Sequence, residues 1–277
     1  MENGIKTFII GLSLKMLLAN TFGILWNQVQ TAGVSAASVP MAWLGALGYT
    51  FQIYFDFQGY SMMAMGLGEM LGFRIPRNFR HPYMATSVTD FWRRWHMSLG
   101  TWFRDYVYIP LGGSRVSLPR HLFNIFLVWM LTGFWHGAAW NFVIWGLYFA
   151  LLLILEKIWL LEILKKSHVL NRIYVLTAAV ISFVIFDATD MSQAFSYLKA
   201  MFGNRRISID FCSIQLLFPQ LFCGLDDSPA WCDTDSKVLL QTDPAMENRN
   251  SSYVIRRTTG TFSPAAYLYG FSGGWLL

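Results

Sequence analysis

Residues Leu131 to Asn141 read LTGFWHGAAWN and place one histidine, His136, between two runs without formal charge, Leu122 to Trp135 and Phe142 to Leu155. Such runs belong in lipid or inside a helical membrane protein. An ionisable side chain at that depth is costly, and it usually faces a bundle interior or a wet cavity as relay, ligand or base. A neutral packing histidine is the plainer reading of the same stretch. Each run is about 14 residues, short of the ~20 needed to cross a bilayer, and the small, polar patch from His136 to Asn141 lies between them. Short apolar halves joined at a glycine-containing break point to an interrupted helix at a binding site, with a single long tilted helix still open. Arg115 and Arg120 before the pair, and Lys157, Lys165, Lys166 and Arg172 after it, favour cytoplasmic placement of both ends.

Composition agrees with this class. Of 277 residues 55% are hydrophobic, 17% aromatic and only 13% charged, with a mean hydropathy of +0.39. These values point to an all-α, polytopic transmembrane bundle with interfacial and interrupted helices. The net charge of +5 combines an excess of +6 in residues 1–203, which hold 15 Lys and Arg against 9 Asp and Glu, with −1 in residues 204–277, which hold 6 against 7. Bases beside apolar spans read as anchors for anionic lipid headgroups; no basic motif suggests nucleic acid. Cys212, Cys223 and Cys232 match no zinc spacing, so no metal site is expected.

Toward the N-terminus, Met1 to Asn20 does not read as a signal peptide, because Lys15 interrupts its apolar stretch. Gly4 to Val29 reads as an in-plane or tilted amphipathic helix. Val39 to Phe57 is long enough to cross, with Asp56 at its end, and Tyr60 to Phe73 reads as a second, separate apolar helix packed through small residues. Arg74 to Tyr83, RIPRNFRHPY, is a loop. Ser87 and Asp90 then form a helix-start box. From Phe91 to Tyr108 a helical period puts Trp92, Trp95, His96, Leu99, Trp102, Phe103 and Tyr106 on one stripe and Arg93, Arg94 and Arg104 on the opposite arc. That pattern predicts one continuous helix at a membrane face or cavity lip, with its Trp stripe inward.

Toward the C-terminus, Ile173 to Phe186 is the last apolar run, followed by Asp187, Asp190 and an amphipathic stretch to Phe202. Residues 1–203 are thus read as the membrane body. Residues 204–277 form an atypical polar tail that reads as loop, disorder or an aberrant end.

Three blocks carry a resemblance: YTFQIYFDFQGYSMMAMGLGEMLGF (Tyr49 to Phe73), DFWRRWHMSLGTWFRDYVYIPLGG (Asp90 to Gly113) and LTGFWHGAAWNFVIWGLYFALLLILEK (Leu131 to Lys157). They resemble the membrane-bound O-acyltransferase family, in its bacterial branch of alginate O-acetylation and teichoic acid D-alanylation acyltransferases. The likeness covers roughly Gly4 to Gly203. Members of the family carry further spans upstream and apolar helices where this chain has its tail, so the resemblance implies a partial body. It also implies transfer of an acyl group, acetyl in this branch, from a thioester donor to a hydroxyl on an exported polysaccharide or partner protein. The place implied is the bacterial cytoplasmic membrane, with no bound cofactor. By the same resemblance His136 matches the family's invariant histidine and is the expected general base, while His96 matches the histidine of the upstream motif. Asn141 is a weaker candidate for orienting His136. Arg93, Arg94 and Arg104 are read as headgroup anchors or as contacts for an anionic donor. Two other readings stay open: a transporter or channel with a histidine relay, and an inactive fragment that keeps the motifs.

Overall fold

The computed structural model describes residues 1–31 and 37–203. Two compact units are distinguished, Met1–Cys232 and Asp233–Leu277, and the second lies wholly outside the described residues. The cysteines and the expectation for the 204–277 tail fall outside them as well.

The described chain is all-α. Helix α1 runs over Glu2–Thr31, and two elements, Glu2–Thr31 and His168–Asp187, are long and apolar enough to cross a membrane. The stretch expected as an in-plane or tilted amphipathic helix thus lies within a 30-residue helix of spanning length. Lys6 is neutralised by Glu2 at 2.6 Å, and Lys15 is paired with Asp56 on the next helix.

That next helix, α2, is Val39–Met70, with Pro40 in its first turn. It replaces the two helices expected before and after Gln58. Gly59 does not break it, because the glycine serves a close helix approach: a Cβ at Gly11 would fall 2.6 Å from the Gly59 carbonyl oxygen, and one at Gly4 would fall 2.7 Å from that of Gly66. The pairing of Gly4 with Gly66 and Gly11 with Gly59 makes α1 and α2 antiparallel, with backbones packed through small residues.

After the 74–81 loop and a 3₁₀ turn at Pro82–Met84 come two short helices, α3 (Val88–Trp92) and α4 (Met97–Phe103), the latter ending in a π-helical segment, Arg104–Tyr108. Ser87 caps α3 by accepting from the Asp90 N–H at 3.0 Å, and Asp90 accepts from the Thr86 N–H at 3.2 Å, so the helix-start box is present. The single helix expected over Phe91 to Tyr108 is absent. The chain turns at residues 93–96, which divides the stripe: Trp95 is buried, while Trp102 and Tyr106 are exposed.

Helix α5 (Leu118–His136) and helix α6 (Trp140–Leu155, continuing through a π-helical segment, Glu156–Leu160) form the next pair. A Cβ at Gly133 would strike the Phe142 carbonyl, and Gly146 lies against the Gly133 backbone. The two apolar runs thus fold back on one another as an antiparallel hairpin. Neither two stacked halves of one crossing nor a single long helix is formed. The fold-back brings the flanking bases, Arg120 and Lys157, toward the same end.

Helix α7 (His168–Asp187), capped by Ser167, is the central post, and α8 (Met191–Phe202), capped by Asp190, closes the body. Val180 and Val184 of α7 join Trp26, Ala42, Ala46 and Tyr197. Val175, Ala179 and Phe183 join Phe79, Phe91 and Trp95. Ala178 and Ile185 join Val88, Trp145 and Phe149. All three clusters meet on this one helix, which explains its length and apolarity.

Candidate functional site

His136 is the last residue of α5, and Gly137 begins the turn into α6. A side chain at Gly137 would sit 2.8 Å from the Phe142 ring, so glycine is what lets the hairpin close directly behind the histidine. The half-buried imidazole is boxed edge-on by Trp145 at 5.0 Å and Phe186 at 5.1 Å, with Trp135 at 4.8 Å. These rings come from three helices, so the imidazole's position is fixed by the packing of α5, α6 and α7 together.

His96 is set by a different device. It occupies the left-handed region, φ 44° and ψ 54°, at the break between α3 and α4. That conformation is uncommon for a residue with a side chain, although histidine is among the more tolerant types. It persists only where the surroundings over-determine it. Here the 74–81 loop does so. The Arg80 N–H donates to the Arg94 carbonyl and the Met97 N–H to the Asn78 carbonyl, each at 2.9 Å. The Asn78 side-chain oxygen accepts from the Ser98 N–H at 3.1 Å and from the Ser98 hydroxyl at 2.6 Å. The Ser98 hydroxyl also lies 3.5 Å from His96 Nδ1.

The two histidines are brought together. Trp135 packs against His96 at 6.0 Å between ring centroids and against His136 at 4.8 Å. Phe57 of α2 covers the far side of His96 at 4.7 Å. The arrangement is a pair of half-buried imidazoles in an aromatic surround, suited to proton transfer.

The other sequence candidates are placed differently. The Asn141 amide donates to the Phe186 and Ala188 carbonyls, at 3.2 and 2.9 Å. Both donor hydrogens are therefore spent on tying the start of α6 to the end of α7. Arg94 is engaged by Asp90 at 2.9 Å and Arg104 by Asp105 at 2.8 Å, while Arg93 is exposed. Burial alone raises the Asp90 carboxyl, but hydrogen bonds from Arg94 and the Thr86 N–H, with the charges of Arg94 and Arg93, bring it below its ordinary value.

Two residues that the sequence reading passed over matter for the site. Asn78 is one, through the turn it pins. Glu156 is the other: it is 2% exposed and accepts from the Val88 N–H at 2.5 Å, the Thr89 N–H at 2.9 Å and the Thr89 hydroxyl at 2.7 Å. A carboxylate at the head of α3 satisfies donors that a helix start leaves open. It fixes the short helix that delivers His96. A lone Glu at the end of a long apolar run was the available signal.

Comparison with known proteins now decides the family. The model of the membrane-bound O-acyltransferase family, MBOAT, matches residues 22–189. The chain belongs to the membrane-bound O-acyltransferase family. The probable alginate O-acetylase AlgI of Pseudomonas aeruginosa is 44% identical over 203 residues, covering 72% of this chain and 38% of that protein. The AlgI of Pseudomonas syringae pv. tomato is 43% identical over 289 aligned residues, covering 99% of this chain and 54% of that protein. A peptidoglycan O-acetyltransferase of Helicobacter pylori is 36% identical over 216 residues, covering 74% of this chain and 40% of that protein. The chain thus spans between 38% and 54% of the length of these MBOAT relatives. The family match contains both histidine motifs, the loop that pins His96, and the hairpin that carries His136.

Proposed function

We propose that this chain is the histidine-bearing part of a multi-pass O-acyltransferase of the bacterial cytoplasmic membrane. It moves an acyl group, acetyl by its likeness to the alginate O-acetylases, from a thioester donor to a hydroxyl on an exported polysaccharide or partner protein. The observation that carries the reading is the convergence of His96 and His136 on Trp135. His136 is the proposed general base. It takes the acceptor hydroxyl's proton as the oxygen bonds to the acyl carbon, and returns it to the thiolate when the C–S bond breaks. His96 is the proposed second polar group, orienting the acceptor or polarising the thioester carbonyl. Exclusion of water protects the donor from hydrolysis. No metal or bound cofactor is required by this chemistry. Asn141 is proposed as a positioning residue for the hairpin, and Arg93 as a headgroup anchor.

The multi-pass arrangement draws support from α2, whose 32 residues extend about 48 Å at 1.5 Å per residue, and from the apolar α5–α6 hairpin. The test is acyl transfer from a labelled acyl thioester to a hydroxyl acceptor by membranes containing the chain. Transfer that is lost in His136→Ala while the protein stays inserted supports the reading. Absence of transfer by the well-inserted natural chain contradicts it.

A further inference from the structure

We infer that Trp145 is a third reacting side chain of the site: its indole N–H donates to the acyl carbonyl oxygen and holds the oxyanion that forms when the acceptor adds. The inference rests on the acyl-transfer reading above and names the carbonyl donor, which leaves His96 to the acceptor. Addition of a hydroxyl to a thioester forms the O–C bond and moves an electron pair onto the carbonyl oxygen. A donor already in place for that charge is commonly the largest single contribution to such a rate. The indole keeps its hydrogen throughout. It stays bonded to the same oxygen while the C–S bond breaks, the carbonyl re-forms and the thiolate takes its proton from His136.

Trp145 is 2% exposed, and its buried Nε1 has no hydrogen-bond acceptor among the described residues. A buried donor left open is costly, and a buried tryptophan usually finds its N–H a partner. Packing alone does not call for an indole: Phe149 and Phe186, against it at 5.2 and 5.4 Å, fill the same core without a polar atom. Its place is the second observation. The indole meets the His136 imidazole at 5.0 Å between centroids and 86° between planes, a separation over which the two oxygens of one acyl carbon can reach both rings. Asn141, one turn earlier on α6, ties that face of the helix to the end of α7, and Trp129 packs on the indole at 6.1 Å, so the donor is held before substrate arrives. Other nearby donors are engaged. The Asn141 amide serves two carbonyls, Arg94 is held by Asp90, and the Ser98 hydroxyl donates to Asn78. Trp92 Nε1 is also buried and open among the described residues, but Trp92 lies on α3 with its ring contacts to Phe91, Trp129, Trp145 and Phe149. It therefore serves as a control.

The experiment is steady-state transfer from a labelled acyl thioester to a hydroxyl acceptor by membranes containing the full chain, with Trp145→Phe and with Trp145→3-benzothienylalanine. The second variant keeps the bicyclic shape and puts sulfur in place of the N–H, so it decides the matter if Trp145→Phe fails to fold. Each inserted variant should lower kcat by about 10²-fold or more, the usual cost of removing an oxyanion donor. KM for the thioester should stay nearly unchanged, the mark of an interaction made only in the transition state. Trp92→Phe removes an equally buried N–H and should change kcat little. Natural kcat in the benzothienylalanine variant overturns the inference, and so does an equal loss in Trp92→Phe. An infrared measurement reads the same contact without turnover. A ¹³C-labelled ketone analogue of the thioester, with methylene in place of sulfur, should show a lower carbonyl stretching frequency on the natural chain than on the benzothienylalanine variant; equal frequencies overturn the inference. If His136→Ala abolishes transfer while both Trp145 variants transfer normally, the donor assignment fails alone. If the Trp145 variants lose transfer and the infrared shift while His136→Ala transfers normally, the donor stands and the general-base reading falls.

Discussion

An imidazole boxed by rings can serve as the proposed base only if something holds it, and His136 is held by Trp145, Phe186 and Trp135. His136→Ala is expected to lower acyl transfer by about 10²- to 10⁴-fold, the usual cost of losing a general base. Membrane fractionation should show the same amount of inserted protein as for the natural chain; wild-type transfer by this variant would remove the assignment. His96 calls for a different substitution, because its backbone is left-handed. Asparagine tolerates that conformation well, so His96→Asn should fold normally and still impair transfer. A β-branched residue there should also lower thermal stability, as αL strain costs roughly 1–3 kcal/mol. Equal loss of folding and transfer in both variants would mean that His96 shapes the turn and does nothing more. The identities of both histidines were legible from their motifs. The turn at His96 was not, because helical periodicity continues smoothly through RRWH and the break is imposed by Asn78 and Arg80 from a separate loop.

At the scale of elements, the site depends on two attachments. One is the α5–α6 hairpin, whose Gly133 and Gly146 allow the helices to touch. Gly146→Val would push a side chain into the α5 backbone, and overpacking of that kind typically costs about 1–3 kcal/mol. A drop in the melting temperature of the detergent-solubilised chain is expected; unchanged stability would contradict the hairpin. The other is Glu156, which caps α3 across a gap of 67 and 68 residues in sequence. Glu156→Gln keeps one acceptor oxygen and should lower kcat for transfer more than it raises KM, because it loosens the segment that delivers His96. Glu156→Ala should lower stability as well, since it leaves the Val88 and Thr89 donors open. The apolar runs, the loop at residues 74–81, α7 and α8 were readable from periodicity and breakers alone. Whether two runs fold back or continue, and whether Gly59 breaks α2, depended on tertiary contact between small residues, which no local pattern carries.

Over the whole molecule, one helix organises the rest: among the described residues α7 contributes to all three core clusters, its Phe186 packs on His136 and its Phe183 on Trp95, the neighbour of His96. Residues 204–277 supply no candidate site residue, so deleting residues 205–277 is expected to leave membrane insertion of the body unchanged in a protease-protection assay. Failure of the shortened chain to insert would show that the tail is a structural part. The family was legible from the three sequence blocks, and composition announced the membrane. The way His96 and His136 meet was not, since 39 residues separate them in sequence and the packing around Trp135 joins them. That convergence is the central claim, and a double-mutant cycle on acyl transfer tests it most directly. Residues that act as one unit are strongly non-additive. His96→Asn combined with His136→Ala should therefore transfer no more slowly than the worse single variant. Rate losses that multiply in the double variant would mean that the two histidines work independently, and would contradict a common site.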